Sequence, residues 1–256
     1  NRVDDISNLC SNPVRSISPS AFMKKILKCC FSLTCLCAGA FSLIANPAGE
    51  AVKAGNAAIT RNGPGSLTVN QSSDKVIINW NSFSIGAGEV TRFVQPNANA
   101  AALNRVLGGS PSAIYGRLEA NGSVYVINPA GVMVGPSGLI NTRSFVGSTL
   151  DISDAGFLSG VSMRFAGSST ASVRNEGTIN ALGGDIFLFA HTVDNAGNVN
   201  APVGTVGLGA GSEILLRQSG TERLSILAGN VSAPKTATGV NNAGAVQAAS
   251  AELKAA

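Results

Sequence analysis

The sequence predicts an all-β protein: a single-stranded, right-handed parallel β-helix with an N-terminal cap and with hairpins that leave the solenoid. Three observations predict this fold class, namely an internal repeat, an alternation of apolar side chains within it, and an unusual composition. Only 12% of the residues are charged, 5% are aromatic and 30 are glycine. A Gly-rich chain with few charges is typical of many short strands joined by tight turns.

The repeat has a period of 20 residues, and residues 174–193 align on residues 194–213 without a gap. Residues 241–249 begin a third copy after a longer excursion. A fixed period near 20 residues indicates a solenoid, because each unit buries its apolar face only against its neighbours. An asparagine ladder is expected at one corner. The aligned positions are Asn175 with Asn195 (and Asn242), Gly177 with Gly197, Ile179 with Val199, Ala181 with Ala201, Gly184 with Gly204, Ile186 with Val206, Leu188 with Leu208, and Ala190 with Ala210.

Within each copy the apolar residues alternate with period two, which is the period of a strand. In the run 186–190 the aliphatic residues are expected to face the interior, whereas Phe187 and Phe189 face outward. The counterparts of both rings in the next copy are glycines, so the rings would lie over bare backbone. Two alternatives stay open for these rings. Residues 213–231 cover them, or they form an exposed surface on which a partner docks.

The first half of the chain repeats more weakly but shows the same pattern of short strands interrupted by glycine. Residues 75–95 are predicted to form strands that break at Gly86 and Gly88. Residues 51–70 are the predicted cap, because an open β-helix exposes its terminal coil. The single plausible helix runs from Asn97 to Gly108, where Ala, Leu and Val have helical spacing; an irregular turn is the alternative.

The first 45 residues have a different character. Met23 begins a basic segment that is followed by an apolar stretch with small residues, which is typical of a secretory signal peptide. We predict a signal peptide over 23–45, a non-native upstream extension over 1–22 and the β-helix domain over 46–256; a transmembrane anchor is the alternative for 23–45. All five cysteines precede residue 46, so no thiol chemistry is expected in the mature chain. Since the sequence stops inside the third repeat, we expect the N-terminal part of a longer exoprotein.

Charge and chemistry-bearing residues argue against several functions. Residues 46–256 carry thirteen basic and twelve acidic residues, so no basic stripe is expected and a nucleic-acid partner is excluded. The single histidine, His191, ends a predicted strand, and we expect no catalytic, metal or cofactor site. The acidic residues are scattered, with Asp151 and Asp154 as the closest pair. The chain is therefore not expected to be an enzyme, and a β-helix polysaccharide lyase is a remote alternative.

A rigid corner stands between two uncharged apolar runs, at Asn128–Gly131 with the sequence Asn-Pro-Ala-Gly. Asn at the first position, Pro at the second and Gly at the fourth are the preferences of a type I β-turn. Ala130 at the third position supports type I, because type II requires a positive φ there. From the residues alone, this corner belongs to the scaffold.

The stretch from Ile78 to Ile152 resembles the two-partner secretion domain (haemagglutination activity domain) of filamentous-haemagglutinin-type exoproteins. The resemblance is carried by FVQPNANAAALNRV, by the turn within Gly116–Val124, by INPAG followed by Gly135, and by STLDI, and it extends over roughly 46–210. The corner matches the family's Asn-Pro-Asn-Gly motif except at its third position, and the companion motif Asn-Pro-Asn-Leu does not occur in the sequence. The residues that the resemblance assigns to the secretion motif are Asn128, Pro129, Ala130, Gly131, Gln95, Pro96, Asn97, Asn104 and Arg105.

The resemblance implies an N-terminal secretion-recognition domain that directs a large exoprotein or adhesin across the outer membrane. The expected partners are the general secretory translocon, then an outer-membrane transporter with POTRA domains and a β-barrel, and a host surface glycan or protein. The expected location is the medium or the surface of a Gram-negative-type bacterium, reached through the periplasm. The alternative function is an adhesin module in which these coils bind a glycan or a protein. It requires an exposed polar-aromatic groove, for which the candidates are Trp80, Tyr115 and Tyr125.

Overall fold

A computed structural model describes residues 46–217, 220, 222–227 and 239–256. The predicted signal peptide, the upstream extension and all five cysteines lie outside these residues. The part that is described is nearly all-β, with 23 strands and a helix of six residues. Within it, no helix has the length and apolar character needed to cross a membrane.

The strands follow one another closely along the chain, and the helix α1 (Asp154–Ser159) stands between β13 and β14. The strands are β1 (Ala51–Ala54), β2 (Ala57–Arg61), β3 (Ser66–Gln71), β4 (Lys75–Trp80), β5 (Val90–Val94), β6 (Ala101–Val106), β7 (Ser112–Ile114), β8 (Arg117–Ala120), β9 (Ser123–Ile127), β10 (Val132–Val134), β11 (Leu139–Thr142), β12 (Ser144–Ser148), β13 (Asp151–Ile152), β14 (Ser162–Ala166), β15 (Ser172–Asn175), β16 (Thr178–Ala181), β17 (Ile186–Ala190), β18 (Thr192–Asn195), β19 (Asn198–Ala210), β20 (Glu213–Arg217), β21 (Leu224–Ile226), β22 (Gly239–Asn242) and β23 (Ala245–Ala255).

The solenoid has three sides, and most coils give one strand to each. Sheet 1 has the order β2-β3-β5-β8-β11-β16-β19-β23, and sheet 2 has the order β1-β4-β6-β9-β12-β17-β19-β23. The long strands β19 and β23 turn the corner and belong to both. Sheet 3 has the order β7-β10-β15-β18-β22. Pairing is parallel except at the N-terminal edge, where β1 and β2 are antiparallel to β4 and β3. The predicted β-helix and its cap are thereby confirmed.

The 20-residue repeat corresponds to one coil. Asn175 pairs with Asn195 in sheet 3, and Ile186 pairs with Val206 in sheet 2, as the alignment predicts. The asparagine ladder also forms: the Nδ2 of Asn175 donates to the Oδ1 of Asn195 at 2.8 Å, and the Nδ2 of Asn195 donates to the Oδ1 of Asn242 at 2.7 Å. Sequence identity at this spacing therefore reflects stacking at a fixed register.

The predicted helix from Asn97 to Gly108 is wrong. Residues 101–106 form β6, which pairs in parallel with β4 on one side and with β9 on the other. Residues 101–104 are all buried, so the alanines and Leu103 form the continuous apolar run of a strand that is covered on both faces. Helix propensity differs from strand propensity by less than this burial contributes, so the tertiary context decides.

Two hydrophobic cores lie on opposite faces of sheet 2. The inner core fills the solenoid and includes Trp80, Phe93, Phe145, Ile186 and Leu188. The outer core lies between sheet 2 and a further antiparallel sheet, the outer sheet, with the order β13-β14-β20-β21. The two excursions that supply the outer sheet leave the solenoid after β12 and after β19, as the predicted extra-helical hairpins do.

Candidate functional site

The corner at Asn128 joins sheet 2 to sheet 3 between β9 and β10. The backbone N–H of Gly131 donates to the carbonyl of Asn128 at 3.0 Å, which is the hydrogen bond of a β-turn. The Oδ1 of Asn128 accepts from the N–H of Ala130 at 2.9 Å and fixes the turn from within. Gly131 has a φ of 121°, a conformation that disfavours residues with a Cβ.

The same asparagine attaches the turn to the preceding coil. The Nδ2 of Asn128 donates to the carbonyl of Ser110 at 3.0 Å and to the Oγ of Ser112 at 2.9 Å. Asn128 is fully buried, whereas Pro129 is exposed and its carbonyl accepts from the hydroxyl of Ser169 at 2.6 Å. The corner therefore connects two coils with the end of the first excursion.

Gln95 fastens the corner between sheets 1 and 2, where β5 leads to β6. Its Nε2 donates to the Oε1 of Gln71 at 3.1 Å, and its Oε1 accepts from the N–H of Gly122 at 2.8 Å. The side chain of Asn121 pairs with both backbone groups of Gln95 at 2.8 Å. Three successive coils are thus bonded through one buried amide.

Pro96 and Asn97 stand outside this buried corner and are exposed. The Oδ1 of Asn97 accepts from the N–H of Asn99 at 2.9 Å, and its Nδ2 donates to the Oδ1 of Asp74 at 2.8 Å. These bonds shape the turn that precedes β6. Asn97 therefore begins a turn and not a helix.

Asn104 and Arg105 are neighbours on β6 and face opposite sides of sheet 2. The Oδ1 of Asn104 accepts from the indole N–H of Trp80 at 2.9 Å inside the solenoid, and its Nδ2 donates to the carbonyl of Tyr125 at 3.1 Å. Asn104 and Trp80 are both fully buried. A buried indole needs a partner, and Asn104 supplies it.

Arg105 faces outward and holds the first excursion. Its guanidinium donates to Asp151 and Asp154, both at 2.9 Å, and to the carbonyl of Ile152 at 2.7 Å. Burial alone would lower the pKa of Arg105, but the hydrogen bonds and charges of the two aspartates outweigh it and raise this pKa. Asp151 and Asp154, the closest pair of acidic residues in the sequence analysis, therefore both form ion pairs with Arg105.

The motif residues thus separate into two groups by exposure. Gln95, Asn104 and Asn128 are buried and bonded, and Arg105 is largely covered. The exposed members are Pro96, Asn97 and Pro129, with Ala130 half-buried. Pro96 lies before β6 and Pro129 lies after β9, at opposite ends of two neighbouring strands of sheet 2. The length of one strand, about 17 Å, therefore separates the two corners. The exposed members do not form one contact patch.

Phe187 and Phe189 lie beneath the outer sheet, and their exposed fractions are 2% and 0%. The structure thus shows the covered alternative, and the exposed docking surface suggested for these rings does not exist here. The rings lie beside Gly207 and Gly209 of the next strand, as the repeat predicts. Arg223 completes the cover: its guanidinium lies 5.1 Å from the Phe187 ring and pairs with Asp185.

Sequence reasoning missed the first excursion, which supplies β13, α1 and β14. A local signal exists in the segment 153–160. Ser153 accepts from the N–H of Gly156 as the N-cap, and Gly160 ends the helix with a φ of 71°. Six residues are too few for a periodic apolar pattern, so the capping residues were the available evidence.

The three aromatic residues considered for a ligand groove lie apart. Trp80 is inside the solenoid, and Tyr125 is under the outer sheet. The ring of Tyr115 packs against the backbone of Gly135, where an added Cβ would clash with it. His191 lies at the corner between β17 and β18 and is half-buried. Within the described residues, no group of three or more His, Cys, Asp or Glu side chains could hold a metal ion.

Comparisons with known proteins agree with this architecture. A family model described as the TPS secretion domain matches residues 44–255. Two heme/hemopexin-binding proteins of Haemophilus influenzae are similar in sequence. One is 45% identical over 86 residues, or 34% of this chain and 9% of that protein. The other, from strain ATCC 51907 / DSM 11121 / KW20 / Rd, is 40% identical over 106 residues, or 41% of this chain and 12% of that protein. The matches thus span about a tenth of these relatives.

Two solved structures are similar in fold. The HMW1 secretion domain from Haemophilus influenzae has a TM-score of 0.68 and 28% identity, covering 82% of this chain and 56% of that chain. The filamentous hemagglutinin secretion domain has a TM-score of 0.62 and 19% identity, covering 81% and 79%, and it supports the fold alone. With the family model matched over nearly all of residues 46–256, the chain belongs to the TPS secretion domain family, the secretion-recognition domains of large exoproteins.

Proposed function

We propose that this domain crosses the inner membrane through the general secretory translocon and then, in the periplasm, engages a POTRA-barrel transporter that carries its exoprotein across the outer membrane. Membership of the family implies an outer-membrane transporter as partner and a secreted or cell-surface exoprotein of a Gram-negative bacterium. The catalytic alternatives have no support in the described side chains, and we propose a non-enzymatic role.

The observation that carries the proposal is the use of the motif residues. Gln95, Asn104 and Asn128 bond the early coils to one another instead of projecting into solvent. We therefore propose that the motif serves export by building the first coils in a fixed register. We therefore expect a substitution that destabilises these coils also to reduce export.

The order of strands suggests how such a start is used. Along sheet 2, from β4 to β19, neighbouring strands follow the order of the chain, so each new coil adds to the edge of the coil before it. The antiparallel strands β1 and β2 cover the N-terminal edge. Growth then proceeds in one direction, and each coil contributes apolar burial at about 25 cal/mol per Å².

The proposal is tested by expressing residues 23–256 with and without an outer-membrane transporter of the POTRA-barrel type. We expect the protein in the medium only when the transporter is present, and a processed, folded protein in the periplasm when it is missing. A transporter that lacks its POTRA domains and a chain that begins at residue 46 are the controls for the two membranes. A folded periplasmic protein that is not released under either condition would refute the export role.

A further inference from the structure

The dipeptide Asn-Gly occurs twice in the sequence, at Asn62-Gly63 and at Asn121-Gly122. In this dipeptide the backbone nitrogen of the glycine attacks the side-chain carbonyl carbon of the asparagine readily, because glycine has no Cβ to hinder the approach. The amide group leaves as ammonia with the proton of that nitrogen, and a succinimide ring closes. A water molecule then opens the ring at either carbonyl and yields aspartate or isoaspartate, so the reaction adds a negative charge.

The first of these dipeptides lies in the turn between β2 and β3 of the cap. The N–H of Asn62 donates to the carbonyl of Ser66 at 2.9 Å and closes the turn, and Gly63 has a φ of 81°. Asn62 and Gly63 are both exposed, and a Cβ on Gly63 would meet nothing within 4 Å. The N–H of Gly63 has no hydrogen-bond partner in the described part of the chain. The nitrogen that must attack is therefore free to move toward the side chain.

The side chain of Asn62 is held only weakly. Its Nδ2 donates to the Oγ1 of Thr68 at 3.0 Å, and this hydrogen bond is exposed to solvent. Its Oδ1 has no partner among the residues that the structure describes. Rotation of this side chain toward Gly63 therefore breaks a single hydrogen bond, which water replaces at little cost in free energy.

The second dipeptide has the opposite surroundings, although it also lies between two strands, β8 and β9. The N–H of Gly122 donates to the Oε1 of Gln95 at 2.8 Å, and a Cβ on Gly122 would lie 2.5 Å from the carbonyl oxygen of Ala100. The side chain of Asn121 is bonded at both atoms, because its Oδ1 accepts from the N–H of Gln95 and its Nδ2 donates to the carbonyl of Gln95, both at 2.8 Å. These three hydrogen bonds must break before the ring can close.

We propose that Asn62 is a site of spontaneous deamidation in the folded domain, and that the hydrogen bonds around Gln95 protect Asn121 from the same reaction. The reaction consumes only water and does not depend on export. An aspartate at position 62 keeps a partner, since the hydroxyl of Thr68 can donate to it. Isoaspartate adds a methylene group to the main chain of the turn, and so it alters the connection of β2, the outermost strand of sheet 1.

The test ages the purified protein in heavy-oxygen water at mildly alkaline pH, once folded and once in guanidinium chloride, and follows both sites by peptide mass spectrometry. Trypsin separates the sites into the peptides 62–75 and 118–143, and fragmentation assigns the modified residue. In the folded protein we expect Asn62 to deamidate at least about tenfold faster than Asn121, because the bonds around Gln95 must first open. In guanidinium chloride the two rates should agree within about threefold, because unfolding removes this protection.

The matched control is Asn62→Gln, which keeps an exposed amide in the turn but would have to close a larger ring. This variant should lose the reaction at position 62. A peptide 62–75 that still gains heavy oxygen at the wild-type rate would show that another residue reacts. Equal rates at the two sites in the folded protein, no reaction at Asn62, or a difference that persists in guanidinium chloride would each overturn the proposal.

Discussion

At the scale of single residues, Asn128 shows how one side chain serves both a turn and a coil-to-coil attachment. Its amide donates to Ser110 and Ser112 of the preceding coil, while its oxygen accepts from Ala130 within the turn. That a β-turn forms at this corner follows from the sequence pattern alone. The attachment does not, because Ser110 and Ser112 carry no signal of their own and become partners only when one coil stacks on another.

We expect Asn128→Ala to lower the free energy of unfolding by about 2 to 4 kcal/mol, because three hydrogen bonds of a buried side chain are lost and the buried hydroxyl of Ser112 stays unpaired. Urea unfolding measures the difference. The matched control is Asn97→Ala, the same substitution at an exposed corner, with an expected loss below about 1 kcal/mol. Equal losses in the two variants would show that the buried bonds of Asn128 carry no special weight.

The carboxylate of Glu252 provides a prediction about pH. Burial alone would raise the pKa of Glu252, but the N–H groups of Arg223 and Leu224 and the ammonium of Lys254 outweigh it, so this pKa lies below its ordinary value. A lowered pKa in the folded state contributes stability that is present above the pKa of the unfolded chain, about 4, and is lost as the pH falls through the folded value.

We therefore expect Glu252→Gln to be less stable than the wild type at neutral pH, and the difference to shrink as the pH falls below about 4. Because the carboxylate holds the N-terminal end of β21 through bonds of 2.7 and 3.0 Å, hydrogen exchange at Arg223 and Leu224 should report the same loss. A difference in stability that does not change with pH would contradict this account.

At the scale of elements, the sequence predicts that an outer layer is needed but does not predict how the strands of the outer sheet pair. The glycine counterparts of Phe187 and Phe189 indicate that the rings need cover, and β20 with β21 in the second excursion provides part of it. The pairing of β14 with β20 joins residues about 50 positions apart without any repeat to reveal it. The helix predicted over 97–108 is wrong because alanine and leucine fit a helix and a buried strand equally well.

The contact between Phe187 and Gly207 offers a test of this cover. A Cβ on Gly207 would lie 2.5 Å from the Cδ1 of Phe187, and the guanidinium of Arg223 lies 5.1 Å from the centre of the same ring, which limits the movement of the ring. We expect Gly207→Ala to cost about 1 to 3 kcal/mol of stability, measured by urea unfolding. Gly109→Ala is the control, because an added Cβ there meets nothing within 4 Å.

The double variant Gly207→Ala with Phe187→Leu decides whether the clash is the cause. The smaller side chain relieves the contact, so the combined loss should be below the sum of the two single losses by about 1 kcal/mol or more. Strict additivity would mean that the two positions do not interact as the structure shows.

At the scale of the whole molecule, the repeat predicts most of the solenoid because stacked coils share one register. The sequence places Asn175 and Asn195 on one corner, since a period of 20 residues returns the chain to the same side. Asn242 joins them 47 residues later, where the repeat resumes after the second excursion. The first half repeats weakly, and its coils are held by unique bonds such as that between Trp80 and Asn104. Those bonds fall at the residues that the family motif marks.

The central claim is that the motif serves export by building the first coils. The most direct measurement compares release into the medium, with the transporter present, for the wild type, Asn128→Ala and Pro129→Ala, alongside protease resistance of the periplasmic protein. We expect Asn128→Ala to lose release and resistance together and Pro129→Ala, whose side chain is exposed, to keep both. A Pro129→Ala protein that stays folded but is not released would contradict the claim and make the turn a direct contact with the transporter.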